Sequence, residues 1–455
     1  MDAIDAILDY VIAVDPAHLP QPVIESTKRF LIDTITLMIV GGRAPGCEAV
    51  GGQAVDWGGR PEATIVSRGI KVPAPYAALA NGMAAHAFDY DDLHEGSDVH
   101  GYAVIVPAVL AIAERNGGIA GPSLVAAIAI GVDVANRMGL AINQYRGWHA
   151  TATCGIFGAA IAAGYAARLD RATLHHAAGI AYSLAAGTYQ PIADGALSKR
   201  LQAGFAARGG IEAVLLATRG ITGAKNVLQG KFGFYPLYER DDYDPEPLLR
   251  DLGTRFEGIG TSMKPFPSCR FCHGAADAAL QLCREFRFAP EDITSITVRV
   301  PSEVHALVGG SYRPGESPQV SAQFSIAYNV SAAIVRGKLG LREFAADVVL
   351  DPHIRKLADR VNTVDDGNSQ RFGKQEVAVW FGDGKMLCKE IAVMKGHPDN
   401  PMSPREGLDK ARECMKYASF PPDLADRISE WTQQLDHATD PVGDLMCLTR
   451  EARCY

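Results

Sequence analysis

Helix-periodic segments built largely from small residues dominate the first half of the chain and leave few folds open to it. Two of them are CGIFGAAIAAGYAARL, at 154–169, and AGFAARGGIEAVLLATRG, at 203–220. Alanine and glycine let neighbouring helices approach closely, and a helix that is apolar around most of its surface has to be buried. Because this pattern recurs from Ala3 to about Gly230, the sequence predicts a packed, all-helical bundle.

The pattern changes after the acidic, proline-containing segment at 238–251. ITSITVRVP, at 293–301, and QEVAVWFGDGKMLCKEIAVM, at 375–394, are rich in alternating β-branched residues, and the GDG of the second is typical of a hairpin turn. We therefore expect a mainly α protein with a large helical domain at 1–261 and a smaller α/β domain at 262–395. The remaining helices, at 396–455, are expected to pack back on the helical domain.

Charge and hydropathy exclude several classes of protein. The net charge is −8 with a pI near 5.9, and no block of lysine and arginine occurs, so neither nucleic acid nor an anionic membrane is an expected partner. The N-terminal MDAIDAILDYVIAV is acidic, unlike a secretory signal, and we expect a cytoplasmic protein. The apolar segment 121–142 is interrupted by Asp133, Asn136 and Arg137, which favours a buried helix over a membrane span.

Acidic residues and histidines are concentrated in HAFDYDDLHEGSDVHG, at 86–101, directly after an apolar helical run. If that helix ends near Phe88, its C-terminus faces Asp89, Asp91 and Asp92, and the helix dipole disfavours negative charge there unless cations or donors compensate. A functional cluster and a solvated acidic loop are both compatible with the sequence.

Three other segments carry groups suited to anion binding or proton transfer: NQYRGWHATATCG at 143–155, GALSKRLQAGFAARGG at 195–210 and KPFPSCRFCHGAADAAL at 264–280. Cations at a helix start oppose the dipole and call for a nearby negative group. A histidine before an apolar helix is nevertheless more often a core or capping residue, and a lysine at a helix start is more often solvated. The groups are Tyr145, Arg146, His149, Lys199, Arg200, Lys264, Arg270 and His273.

The motif CRFCH, at 269–273, matches the attachment site of c-type haem. That chemistry belongs to exported proteins, a zinc site would need a second pair of ligands nearby, and an iron–sulfur cluster would need another cysteine. We therefore expect no metal and no cofactor. A metal or redox protein that uses Cys269 and Cys272 is the alternative from a different class.

Taken together, these segments resemble the MmgE/PrpD family, which includes 2-methylcitrate dehydratase, cis-aconitate decarboxylase and iminodisuccinate epimerase. The resemblance rests on ANGMAAHAFDYDD, HGYAVIVPAVLAIAE, GWHATATCGIFGAA, SKRLQAGFAARGG with GITG, MKPFPSCRFCHGAADAAL and QFSIAYNVSAAIVRG. It implies a helical domain, a smaller α/β domain, a homodimer and no cofactor. It also implies an active site between the domains, at the positions Asp89, His100, His149, Lys199 and His273.

The resemblance further implies proton transfer beside a carboxylate of a small polycarboxylate, a reaction that requires the developing charge to be neutralised. We expect Lys199, Arg270 and Arg146 to hold carboxylates, and Lys264 and Arg200 to take part in binding the substrate. His149 and His273 would act as acid and base, while Asp89 and His100 would orient them. Three positions depart from the family pattern and leave the substrate open: Leu93, Ala150 and Ala152.

The predicted function is a cofactor-independent lyase, a dehydratase or a decarboxylase, that acts on a di- or tricarboxylate such as 2-methylcitrate or cis-aconitate. The alternative is an epimerase of an iminodisuccinate-type dicarboxylate, in which Tyr145 and Lys199 form a two-sided pair. A scaffold that binds polycarboxylates without catalysis is a third hypothesis.

Overall fold

The computed structural model describes residues 2–421 and 423–451, and most of them are helical. The helices before the main sheet are α1 (Ala3–Ala13), α2 (Gln21–Gly41), α3 (Cys47–Asp56), α4 (Ala74–His86), α5 (Gly101–Arg115), α6 (Gly121–Leu140), α7 (Ala150–Thr153), α8 (Gly155–Ala166), α9 (Arg171–Leu184), α10 (Gln190–Ala193), α11 (Ser198–Ala217), α12 (Phe234–Tyr238), α13 (Glu246–Leu249) and α14 (His273–Glu285). The later ones are α15 (Ser302–Val308), α16 (Pro318–Gln323), α17 (Ile326–Arg336), α18 (Pro352–Ala358), α19 (Pro404–Tyr417), α20 (Leu424–Gln434) and α21 (Pro441–Glu451).

The strands form two sheets. A short antiparallel hairpin pairs β1 (Ala63–Ile65) with β2 (Ile70–Val72). The main sheet contains β3 (Ile293–Val300), β4 (Val361–Asp365), β5 (Gln375–Phe381) and β6 (Met386–Ile391), in the order β4-β3-β5-β6. Strand β3 is parallel to β4 and antiparallel to β5, and β5 and β6 form the hairpin that the GDG turn predicted. The prediction of a mainly α fold with a small α/β domain is confirmed.

The sequence did not predict the hairpin β1–β2 or the edge strand β4. Each strand of the hairpin has only three residues, too few for a period of two to be recognised. Strand β4 has the sequence VNTVD, in which polar residues interrupt the apolar pattern. Its position at the sheet edge, beside β3 alone, tolerates that exposure.

Small residues bring the bundle helices into backbone contact, as their spacing indicated. A Cβ atom added to Gly82 of α4 would lie 2.9 Å from the Cα atom of Gly204 in α11. A Cβ atom added to Gly204 would lie 2.3 Å from the carbonyl oxygen of Leu79. Glycine is therefore required where α4 and α11 cross, because any larger residue would collide with main-chain atoms.

We expect Gly204→Ala to lower the free energy of unfolding by about 1–3 kcal/mol, the usual cost of overpacking a tight interior. The control is Gly52→Ala in α3, where an added Cβ atom meets no atom within 4 Å and the change should be neutral or slightly stabilising. Urea denaturation followed by circular dichroism measures both variants. Equal stabilities for the two would contradict the close helix crossing.

The buried apolar residues form two clusters. The larger one joins the helices of the first 260 residues with residues of α19, α20 and α21, such as Met415, Trp431 and Leu445. The smaller one lies between the main sheet and the helices α14 and α17, and its residues fall between Phe271 and Met394. The domain limits 1–261, 262–395 and 396–455 themselves stay a prediction, and residues 452–455 lie outside the described part of the chain.

The C-terminal helix α19 contacts the bundle through a buried lysine. The Nζ atom of Lys410 lies 2.7 Å from the carboxylate of Asp33 in α2 and donates to the carbonyl oxygen of Tyr90 at 2.8 Å. Since Tyr90 belongs to the acid-rich segment, α19 helps to hold that segment against the bundle.

Among the described residues, α6 has the length and apolar composition that a membrane-crossing helix needs, and 89% of that apolar stretch is buried inside the protein. Asp133 and Arg137 of this helix form an ion pair of 2.8 Å with no exposed surface. The guanidinium also donates to the carbonyl oxygens of Pro247, Arg250 and Arg255. Every polar group of this pair therefore has partners in the bundle, as expected of a core helix.

Candidate active site

The acid-rich segment is buried, so it is not a solvated loop. It begins at the C-terminus of α4, which ends at His86, and returns to the N-terminus of α5. The carboxylate of Asp92 accepts hydrogen bonds from the backbone N–H groups of Tyr102 and Ala103, at 3.1 and 3.2 Å. These main-chain donors hold the group without a cation, but burial and the charge of Asp91 outweigh them and raise the pKa of Asp92 well above its usual value.

Asp89 binds two lysines at once. Its Oδ1 atom lies 2.6 Å from the Nζ atom of Lys199, in the first turn of α11, and its Oδ2 atom lies 3.1 Å from that of Lys264. Burial alone would raise the pKa of Asp89, but the two ammonium groups outweigh it and hold that pKa well below its usual value. Two cations share one anion, so this cluster carries a net charge of +1.

Asp91 lies between two histidines and has no exposed surface. Its Oδ2 atom is 2.6 Å from Nδ1 of His86 and 3.0 Å from Nδ1 of His100. Burial would raise the pKa of Asp91, and the two imidazoles lower it well below its usual value instead.

The ligand-type atoms of His86, Asp91 and His100 lie within 4.8 Å of one another, as a metal site would require. Ligands of one tetrahedral zinc ion are roughly 3.3 Å apart when the metal–ligand distance is about 2.0–2.2 Å. The 2.6 Å between His86 and Asp91 is a hydrogen-bond distance instead. In this arrangement the three groups are partners of one another.

His149 is buried at the start of α7, and its Nδ1 atom lies 3.0 Å from Oε1 of Gln202. The amide nitrogen of Gln202 donates to the carbonyl oxygen of Thr188 at 2.9 Å, which fixes the amide oxygen toward the imidazole. Nδ1 of His149 therefore carries the proton and Nε2 is free to accept one. Burial, reinforced by the charge of Lys199, holds the pKa of His149 well below its usual value, so the ring is neutral.

These groups converge on one cavity between the bundle and the smaller apolar cluster. Its walls include Asp89, His100, His149, Tyr189, Lys199, Lys264, Arg270, Phe271, Phe324 and Phe372. The structure thus brings together six of the ten residues that the sequence singled out.

The guanidinium of Arg270 reaches the cavity wall with its charge already paired. Its Nε atom donates to Glu95 at 2.8 Å and one Nη atom donates to the carbonyl oxygen of Lys395 at 2.7 Å. Both ring nitrogens of His273 also have partners: Nε2 lies 3.1 Å from the carbonyl oxygen of Ser268, and Nδ1 lies 3.3 Å from Arg270. A role of His273 in proton transfer therefore requires one of these contacts to open.

Besides His273, three predicted residues do not line this cavity. Arg146 pairs with Asp242 at 2.8 Å in a neighbouring cleft. Arg200 donates to the carbonyl oxygen of Pro45 and to the side chain of Gln319. Tyr145 is 44% exposed, and its ring packs edge-on against that of Tyr189.

An ion-pair cluster closes one edge of the cavity and was not predicted. The hydroxyl group of Tyr189 donates to the carboxylate of Asp98, a residue with the left-handed φ of +57°. Arg371, from the connection between β4 and β5, lies 3.3 Å from Asp98 and donates to Glu303 at 2.8 Å. No local sequence pattern pairs residues so far apart in the chain.

Other residues were missed although a signal existed. His86 and Asp91 both stand in the acid-rich segment. Gln202 follows Lys199 by three positions on α11, which places both side chains on one face of that helix.

The cysteine side chains of the CRFCH motif, Cys269 and Cys272, are neutral thiols. Cys272 is buried, and burial together with the charge of Asp89 raises the pKa of Cys269 to about 12. Among the described residues, the group able to hold a metal ion includes neither of them. Cys454 lies outside the described residues.

Comparison with models of known protein families identifies the family to which this chain belongs. The model of the MmgE/PrpD N-terminal domain matches residues 5–246, and that of the MmgE/PrpD C-terminal domain matches residues 266–437. The chain belongs to the MmgE/PrpD family, as its sequence motifs indicated.

Curated relatives make the likeness more specific. The chain is 27% identical to the cis-aconitate decarboxylase-like protein oryM of Aspergillus oryzae, over 97% of this chain and 95% of that protein. It is 26% identical to the cis-aconitate decarboxylase of Aspergillus terreus, over 94% and 92% of the two chains. It is 27% identical to the cis-aconitate decarboxylase of Homo sapiens, over 87% and 84%.

Proposed function

We propose that this protein is a lyase that decarboxylates a small unsaturated tricarboxylate, with cis-aconitate as the first candidate. The observation that carries the proposal is the pairing of Lys199 and Lys264 on one carboxylate, beside two imidazoles in the same cavity. The relatives that act as cis-aconitate decarboxylases support the choice of substrate.

The two lysines supply the charge that a polycarboxylate needs. Their cluster has a net charge of +1, so a carboxylate of the substrate is attracted to the ammonium groups that Asp89 leaves partly unneutralised. The aromatic rings of Phe271, Phe324 and Phe372 line the same cavity and exclude water. Low polarity around a charged group strengthens these interactions and favours loss of a carboxylate as neutral CO₂.

The protonation states suggest how the proton moves. In a decarboxylation, the bond between carbon and the departing carboxylate breaks, CO₂ leaves, and the electron pair passes to the alkene carbon, which takes up one proton. The ammonium group of Lys199 is a donor within the cavity, whereas the neutral His149 offers a lone pair on Nε2. Lys199 would give the proton to carbon, and His149 would orient the substrate or return a proton from solvent.

Dehydration uses the same groups in a different order. His149 would remove a proton beside a carboxylate, and Lys199 would protonate the departing hydroxyl group. The epimerase alternative loses one of its two proposed members, because Tyr145 does not line the cavity.

Incubation in D₂O with cis-aconitate, 2-methylcitrate, citrate or iminodisuccinate, followed by NMR, tests the proposal. We expect cis-aconitate to lose CO₂ and the product to contain one deuterium at the former alkene position. Loss of water from 2-methylcitrate would identify a dehydratase. Exchange of a C–H for a C–D bond in iminodisuccinate, without loss of water or CO₂, would identify an epimerase. Inertness toward all four compounds would reject the proposal.

The homodimer, expected from the family resemblance, and the cytoplasmic location, expected from the acidic N-terminal segment, both stay predictions. A homodimer of the 48.6 kDa chain would give about twice that mass in light scattering coupled to size-exclusion chromatography. The expected cytoplasmic location is tested by fractionation of cells that express the full chain.

A further inference from the structure

The acid-rich segment contains a buried carboxylate that the proposed reaction does not use. We propose that Asp91 is a positioning residue that fixes the protons of His100 and His86 on their Nδ1 atoms, so that His100 presents an unprotonated Nε2 atom to the cavity. The kinetic part of this inference rests on the proposed function, whereas its structural part does not.

Three neighbouring carboxylates have three different partners. Asp89 is occupied by the ammonium groups of Lys199 and Lys264. Asp92 accepts from backbone N–H groups at the start of α5. Asp91 alone of the three contacts imidazole rings, and its side chain has no exposed surface. Asp91 therefore has a different role from Asp89 and Asp92, although the three residues stand within four positions of the sequence.

The proton positions follow from the chemistry of the contacts. An ionised carboxylate accepts hydrogen bonds and donates none, so a nitrogen that lies close to it is favoured in its protonated form. Nδ1 of His86 makes a hydrogen bond of 2.6 Å to Asp91. Nδ1 of His100 lies 3.0 Å away at a poorer angle and is oriented mainly by the carboxylate charge.

An imidazole that carries its single proton on Nδ1 leaves Nε2 with a lone pair. Burial lowers the pKa of His86 to about 4, which keeps that ring neutral. His100 lies on the cavity wall, where its lone pair is available to a substrate.

His86 supports the arrangement without reaching the cavity. Its ring packs edge-on against that of His100, with centroids 4.7 Å apart, and parallel to that of His149 at 5.8 Å. Its short hydrogen bond holds the Oδ2 atom of Asp91 in place. His86 and Asp91 therefore form a buried support beneath both histidines of the cavity.

The test combines Asp91→Asn with NMR of the full chain labelled with ¹⁵N at histidine. Long-range ¹H–¹⁵N spectra distinguish the two imidazole tautomers, and His100→Gln assigns the signals of His100. We expect the Nδ1–H form of His100 in the original protein and a shift toward the Nε2–H form in Asp91→Asn. For the proposed reaction, kcat should fall by about 10²–10⁴-fold with KM changed only a few-fold, and Asp91→Glu should recover part of the loss.

Asp92→Asn is the matched control, because it converts a buried carboxyl group one position away to an amide without touching either imidazole. It should lower stability through the contact with α5 and leave the tautomer of His100 unchanged. An unchanged tautomer and an unchanged kcat in Asp91→Asn would overturn the proposal.

Should Asp91→Asn fail to fold, His86→Asn gives the deciding spectrum. Loss of its hydrogen bond should release Asp91 and produce a mixture of His100 tautomers, and a single unchanged tautomer would overturn the proposal. A tautomer shift in Asp91→Asn in a protein inert toward every substrate would retain the positioning role and reject the proposed function instead.

Discussion

Replacing Lys199 by methionine is expected to lower kcat/KM for the proposed substrate by about 10³-fold or more. The change removes one of the two ammonium groups on Asp89, so the net charge of this cluster falls from +1 to zero, and it also removes the proposed proton donor. Loss of a single donor or charge aimed at the reacting group typically costs about 10²–10³-fold, and general acid catalysis contributes a comparable factor. Steady-state kinetics with the substrate identified by NMR measures the effect.

Two further variants separate the two roles of Lys199. Lys199→Arg keeps the charge but cannot release a proton, since a guanidinium stays protonated in proteins. It should retain a KM close to the original value and lose most of kcat. Lys199→Met combined with Asp89→Asn restores the net charge of +1, now on Lys264, without the Lys199 donor and should recover affinity alone. Original rates in Lys199→Arg would remove Lys199 from proton transfer.

The second large effect is expected for His149→Gln, which should lower kcat by about 10²–10⁴-fold while KM changes little. Glutamine has a similar reach but no titratable nitrogen, and its amide could still contact Gln202. The ring it replaces presents Nε2 to the cavity and is held by the hydrogen bond at Nδ1. Rapid-quench kinetics would show whether the chemical step or product release carries the loss.

His18→Gln is the control for this change, because the His18 side chain is 81% exposed and lies outside the cavity. It should leave both kcat and KM at their original values. A thermal melt of each variant checks that the fold is retained. If His149→Gln retained its rate while Lys199→Met lost it, proton transfer would be assigned to His100 and the ammonium group alone.

The fold was predictable because its signals are local. Small residues at helical spacing predicted a closely packed helical bundle, and the structure shows such packing where α4 and α11 cross. The alternating residues with a GDG turn predicted the hairpin of β5 and β6. The residues of the cavity were predictable only in part. Lys199 called for a negative partner, which proved to be Asp89, whereas Arg146 found carboxylates of its own in another cleft.

What the sequence could not provide was the choice among equivalent groups. Asp89, Asp91 and Asp92 are the same residue type in one short segment, and their partners lie between five and 175 positions away in the sequence. Arg270 and His273 stood in a motif suited to anion binding and proton transfer, yet their hydrogen-bonding groups contact each other or, for Nε2 of His273, a main-chain oxygen. Competition for hydrogen-bond partners is a property of the folded chain, so residue type and spacing do not determine it.

The cavity takes its lysines from different parts of the fold: Lys199 begins a helix of the bundle, and Lys264 lies where the chain leaves the bundle for the smaller apolar cluster. A retained helical content would therefore be a poor measure of the activity of this protein. A small displacement of the smaller apolar cluster would separate Lys264 from Asp89 and abolish turnover. Nearly all of the far-ultraviolet circular dichroism signal of the helices would remain. During heating or storage, loss of activity would therefore be detected before loss of helical content.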